Sequence, residues 1–337
     1  MPKPGRDSGG PYPSVGSALM LTLLAILAAG FTGVAFIDFG LLAAVGIGQA
    51  IGIGAVATMG AKRVPEPQAE RLGLRALDPE AIPVILCLVP AILLASELDN
   101  IAYDWTPEAS EAGIERSLDD PNRVDDTYGE EANVEPGTEV SSGDTLPAFG
   151  AETAEEIGIE DETPTRLIDP DDPAAVLQAI VVMVGIVPIV EEFLYRGVIQ
   201  QGLVQRLGLI RGVSMTALLW TLLRPAPIAG FPRFLAAVIA SFALGWALGI
   251  VRVATRSILG PILLSAGWAA IGLGAMVMEE RMELPGMNVE GTHLPLLISG
   301  ASLALVAWAG WTIYQEAERR FDPNPRPRPP EEGGPEV

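Results

Sequence analysis

Eight stretches of this chain are apolar over close to the length a helix needs to cross a bilayer: near 17–38, 40–60, 81–97, 173–195, 212–231, 233–251, 257–278 and 294–314. A hydrocarbon core of about 30 Å calls for about 20 such residues, and inside it every backbone N–H and C=O must be bonded within the protein. The pattern therefore predicts an all-α polytopic membrane protein of about eight transmembrane helices. The third candidate is short, and the fifth is interrupted by Arg224, Pro225 and Pro227. The first is too long for a signal-peptide core, lacks a small-residue cleavage site and runs almost directly into the second, so it reads as a span. Glycines inside the second span (Gly46, Gly48, Gly52, Gly54) and the sixth (Gly245, Gly249) have no strand before them. They read as close helix-packing positions rather than a nucleotide loop.

The basic residues orient these spans. With the N-terminus inside, fifteen Lys and Arg between Lys3 and Arg328 fall on the cytoplasmic side. Arg116, Arg123, Arg166, Arg233 and Arg281 fall outside, and Arg224 lies within a span. That bias predicts both termini in the cytoplasm and an even number of spans. The organisation that follows is three N-terminal helices in 1–98, an extracytoplasmic insert in 99–172, core helices in 173–278, an outer loop and last span in 279–315, and a Pro/Arg/Glu-rich cytoplasmic tail in 316–337.

The formal charge of −21 belongs almost entirely to the insert, where 23 of the 42 acids and three of the 21 bases lie between Asp99 and Asp172. Its Asp, Glu, Pro, Gly, Ser and Thr cannot bury enough apolar surface to order it, so residues 104–172 read as a solvated loop, with at most a short helix around 151–159. It closes on Asp-Pro-Asp-Asp-Pro, which offers Asp172 as N-cap and Pro173 as first helical residue of the fourth span. With 19 Arg and two Lys, the composition resembles that of proteins from salt-loving archaea, where charge repulsion is screened over a few ångströms.

Several function classes fall away. Nucleic-acid binding needs a basic face. One Cys, Cys87, cannot build a disulfide scaffold, and one His with one Cys argues against a zinc site. No cofactor and no metal are expected, and the insert has no calcium-loop spacing.

Charged residues inside spans are costly and therefore informative. The fourth span reads Ile-Val-Pro-Ile-Val-Glu-Glu-Phe-Leu-Tyr-Arg-Gly, which places Glu191, Glu192 and Arg196 together after Pro188. Glu192 and Arg196 are four apart, so a helix-face ion pair is available. Glu191 points about 100° away and needs another partner, or serves as a general base for water attack. As structural glue, the pair would hold helices together while Glu191 sat in a wet vestibule.

Glu-Glu-x-x-x-Arg-Gly after an apolar helix with proline resembles the first motif of the CAAX-protease and bacteriocin-processing (CPBP, or Abi) family of intramembrane glutamic endopeptidases. The stretch from Phe242 to Leu263 resembles that family's Gly-x-x-x-Gly helix, basic turn and entry to the next helix; the likeness covers about 175–270. The resemblance implies metal-independent peptide-bond hydrolysis near the cytoplasmic membrane face, with Glu191 as base and Glu192 and Arg196 positioning it. Its implied partners are membrane lipids and a membrane-associated or lipid-modified peptide substrate.

Two further family motifs are altered. Phe-x-x-x-His corresponds to Trp220 and Arg224, and His-x-x-x-Asn corresponds to Ser265 and Ala269, so both histidines are replaced. The single histidine, His293, belongs to the outer end of the last span and cannot stand in. Arg cannot accept a proton. Arg224 could pair with Glu191 and weaken it as a base, polarise a carbonyl while Glu191 remains the base, or snorkel to the outer surface. Ser265 can donate to an oxyanion and Ala269 cannot; losing one such donor costs about 100- to 1000-fold in rate. Three readings follow: a protease-like protein with reduced or lost activity; a non-catalytic binding protein with Glu191 locked to Arg224; and a transporter, disfavoured because the halves show no inverted repeat.

Overall fold

The computed structural model describes residues 11–106, 168–224, 230–279, 281–289 and 291–321, which belong to one compact unit. The acidic insert, with its expected disorder and its short helix at 151–159, lies outside the described residues apart from its two ends. The described chain is helical: α1 (Val15–Ala35), α2 (Leu41–Ala61), a short α3 (Gln68–Leu72), α4 (Pro79–Tyr103), α5 (Pro173–Leu207), α6 (Leu209–Thr221), α7 (Phe231–Thr255), α8 (Leu259–Met278) and α9 (Leu296–Arg320). Among the described residues there is no strand, only an isolated bridge between Pro285 and Val289.

Seven of these helices are long and apolar enough to cross a membrane. The remaining apolar candidate, the fifth, expected over 212–231, is the 13-residue α6, Leu209–Thr221, which ends before Arg224 and the prolines that follow. At 1.5 Å per residue α6 is about 20 Å long, so it carries the chain only part of the way. Lipid-facing character is explicit on α9, where Leu296, Leu297, Leu303, Trp308 and Trp311 are exposed, and on α1, where Met20, Phe31 and Val34 are.

Local sequence explains how the site-bearing helix is built. Asp172 caps α5, its carboxylate accepting the Ala174 N–H at 2.9 Å, and Pro173 opens the helix. Pro188 has no N–H to donate, and the turn before it, Ile180–Ile186, is widened to i+5 bonding. A second wide stretch, Phe193–Ile199, follows directly on the two glutamates. Such widenings inside α-helices recur at functional sites. Gly208 alone links α5 to α6; its φ of 84° with ψ of 173° is a backbone conformation open to glycine and strained for other residues.

Several of the glycines inside the spans, Gly46, Gly48, Gly52, Gly245 and Gly249 among them, work as packing positions, whereas Gly54 only meets Val190 at 4.0 Å. A Cβ at Gly52 would come within 2.6 Å of the Ala29 Cα, so α1 and α2 cross backbone to backbone there. On α7, a Cβ at Gly245 would meet Trp220 Cε3 at 2.8 Å, and one at Gly249 would meet Val213 Cγ1 at 2.7 Å. α6 thus lies against a groove in α7.

Polar contacts sort the helix ends into two sides. On one, Arg71 donates to Gln205 (3.2 Å), Arg252 to the Arg71 carbonyl (3.0 Å), Arg75 to the Thr255 carbonyl (2.9 Å) and Arg256 to the Arg320 carbonyl (3.0 Å). On the other, Arg233 pairs with Asp99 (2.9 Å), Arg281 with Asp171 (2.6 Å), and His293 lies 2.9 Å from both Glu97 and Asp104. We call these the basic and the acidic side.

Candidate functional site

Glu191 and Glu192 lie near the middle of the 35-residue α5, and both are buried, at 2% and 0% exposure. The Glu192–Arg196 pair expected from the i, i+4 spacing forms at 3.0 Å with both side chains fully buried. Arg196 also donates to the Gly245 carbonyl at 2.8 Å. One turn further, Gln200 donates to the Gly249 carbonyl at 2.7 Å. Residues 192, 196 and 200 therefore form a polar stripe on α5 facing α7. At Gly249 a Cβ would stand 3.3 Å from Gln200 Oε1, so the absence of a side chain there leaves room for the Gln200 amide.

Glu191 points away from that stripe, toward the end of α6. Its Oε2 accepts two hydrogen bonds, from Trp220 Nε1 at 3.0 Å and from Arg224 Nη2 at 2.5 Å. The Arg224 guanidinium lies 4.2 Å from the Trp220 ring centroid and the Arg196 guanidinium 5.0 Å from it. The indole thus makes cation–π contacts with both arginines, each favourable when partly desolvated. Of the three roles open to Arg224, the geometry selects the ion pair with Glu191: its side chain is 33% exposed and that of Glu191 3%.

The other two substituted positions make no hydrogen bond to Glu191 among the described residues: Ser265 is buried on α8 and Ala269 is partly buried. Trp268 is tied to α4 through its Nε1 bond to the Leu88 carbonyl at 3.2 Å. His293 lies on the acidic side with Glu97 and Asp104, apart from the glutamate pair.

Trp220, expected to line the site at the position of a phenylalanine, is there, and its indole N–H is a direct partner of Glu191. Gln200 is the member that the sequence reading leaves out. Gln200 carried a usable signal, a polar residue eight after Glu192 and four after Arg196 in an apolar setting. Among the described residues, no group of three or more His, Cys, Asp and Glu could hold a metal ion.

Chemically, the centre holds two carboxylates and two guanidiniums around one indole. Arg224 and Trp220 both donate to Glu191 Oε2, and neither can accept a proton, while Oε1 takes no hydrogen bond among the described residues.

Residues 173–271, from the start of α5 into α8, match the family described as Type II CAAX prenyl endopeptidase Rce1-like. The match includes Glu191, Glu192, Arg196, Trp220, Arg224, Ser265 and Ala269. No curated protein and no solved structure matches the chain.

Proposed function

From a multi-pass membrane protein whose residues 173–271 carry an Rce1-like, CPBP-type CAAX-protease domain, we propose a non-catalytic member of that family. In this reading it binds a membrane-associated or lipid-modified peptide and does not cleave it. The observation that carries the proposal is the double engagement of Glu191 Oε2, by Arg224 at 2.5 Å and Trp220 at 3.0 Å. A general base must present a free lone pair within reach of the attacking water. Here one of the two oxygens, Oε2, already accepts from two donors, one of them a guanidinium that cannot take the proton on, and the charge of the carboxylate is offset by that guanidinium. Replacement of the second histidine by Ser265 further weakens the electrophilic side.

The sidedness belongs to the same proposal. The arginine-rich side is cytoplasmic by the positive-inside bias, and the acidic side faces outward.

The test uses the full chain in lipid at high salt, with a farnesylated CAAX peptide and a membrane-peptide library. Wild type and Glu191→Gln are expected to give the same background cleavage. The double variant Arg224→His with Ser265→His is expected to gain cleavage that Glu191→Gln then removes. Cleavage by the wild type that is lost in Glu191→Gln would overturn the proposal in favour of an active glutamic protease.

A further inference from the structure

The acidic-side ends of α4, α7 and α8 enclose a cavity of about 620 Å³. That size is ordinary for a small-ligand site, for which roughly 300–1,000 Å³ is usual. None of its lining residues belongs to the glutamate centre, so what occupies it is independent of whether Glu191 acts.

The lining is graded with depth. Ile92, Leu244 and Ile271 form the apolar inner part, and Asp99, Arg233 and Glu279 stand toward the helix ends. Leu244 is 13 residues into α7 and Ile271 seven before the end of α8. At 1.5 Å per residue those are depths of about 20 and 10 Å, bracketing the ~15 Å thickness of one leaflet's hydrocarbon. The rim is fixed: the Gly286 carbonyl accepts from Ser96 Oγ at 2.7 Å and Asn100 Nδ2 at 3.0 Å, holding the 285–289 turn against α4.

Charge at the mouth is asymmetric. Asp99 accepts from Arg233 Nη2 at 2.9 Å and Nε at 3.3 Å, while Glu279, also lining the cavity, forms no ion pair among the described residues. Among the described lining residues, two carboxylates thus stand with one guanidinium. An apolar interior at acyl-chain depth under a mouth with one uncompensated carboxylate fits an amphiphile whose head carries an ammonium. A wholly anionic head would meet repulsion from Glu279.

We propose that this cavity binds one phospholipid with a zwitterionic ammonium–phosphate headgroup. An acyl chain packs on Ile92, Leu244 and Ile271, and the ammonium lies between Glu279 and Asp99.

The full chain would be placed in nanodiscs at low ionic strength with a phosphatidylethanolamine bearing a diazirine in its acyl chain. A parallel sample would hold the same probe as phosphatidylglycerol, which shares the phosphodiester and lacks the ammonium. After photolysis the adducts are mapped by peptide mass spectrometry. Adducts on α4 and α8 around the cavity are expected, about two- to fivefold more with the ethanolamine lipid, the size of a partly solvated charge pair. Glu279→Gln is expected to erase that preference.

Gly272 lines the cavity, and a Cβ there meets nothing within 4 Å. Gly272→Leu therefore starts from a Cβ that meets no neighbour, extends into the cavity and favours the helix. It is expected to lower cavity adducts to background while adducts on exposed Leu303 of α9 persist. Undiminished cavity adducts in Gly272→Leu, or equal labelling by the two lipids, would overturn the proposal. Should Gly272→Leu fail to fold, the Glu279→Gln comparison decides it alone.

Discussion

The energetic coupling between Glu191 and Arg224 decides how the site is to be understood. Double-mutant cycles on exposed ion pairs give about 0.2–1 kcal/mol. Removing one partner of a fully buried pair costs about 3–5 kcal/mol. This pair is asymmetric, with Glu191 3% and Arg224 33% exposed, so it belongs between those limits. Glu191 also keeps its Trp220 bond when Arg224 is lost, which softens the loss. We expect Arg224→Met and Glu191→Gln each to be destabilising and the double variant to fall short of their sum by about 1–3 kcal/mol. The cycle would be measured by denaturant titration in mixed micelles, following a tertiary signal. Additivity within about 0.5 kcal/mol would mean that the two groups do not hold one another. The lock, and with it the reason for reading the site as silent, would then be gone.

Other perturbations test the surroundings. Arg196→Met leaves Glu192 buried and unpaired and is expected to cost about 3–5 kcal/mol, whereas Arg196→Met with Glu192→Leu recovers much of that loss; unfolding midpoints distinguish the two. Gly245→Ala drives a methyl to within 2.8 Å of Trp220 Cε3, so α6 and α7 must separate, at about 1–3 kcal/mol, with a shift in tryptophan emission. On the acidic side, His293 is raised above its ordinary pKa by hydrogen bonds to Glu97 and then Asp104. A group raised on folding contributes fully below its unfolded value, about 6.5, and loses that contribution as pH rises through the folded value. Thermal stability of the wild type is therefore expected to fall as pH rises above about 6.5 and through the raised folded value, and that slope to be reduced in His293→Gln; a slope unchanged by that variant would refute the assignment.

What could be read from the sequence was what is encoded within a few residues or enforced by a large penalty. The apolar spans follow from length alone. The Asp172 cap and the Glu192–Arg196 pair lie within one helical turn of chain and form as expected. Arg224 was legible for a different reason: a guanidinium inside an apolar segment needs a partner, and Glu191 was an unpaired carboxylate on the adjacent span. Trp220 gave no such signal, because an indole is at home in an apolar helix, and its bond to Glu191 depends on how α5 and α6 face each other. The end of α6 was misplaced for a related reason. Apolarity runs on from Val213 to Leu223, and only the backbone shows that helical bonding ends at Thr221. The cavity was invisible, since its walls come from three helices far apart in sequence.

The two glutamates are retained for different physical reasons, and this separates the motif from the activity it suggests. Glu192 neutralises Arg196, and Arg196 reaches the Gly245 carbonyl, so the pair pins α5 to α7. That role needs no chemistry at Glu191. Glu191 in turn neutralises Arg224, which stacks on the same indole that Arg196 touches. Replacing Glu191 alone would leave Arg224 at the end of a helix too short to span, with its nearest buried counter-charge removed. Either carboxylate can thus be held in place by the helix packing it supports. A Glu-Glu-x-x-x-Arg sequence in such a membrane helix is therefore evidence for the fold. Evidence for hydrolysis lies in what faces the first glutamate, and in this chain that is a guanidinium and an indole N–H.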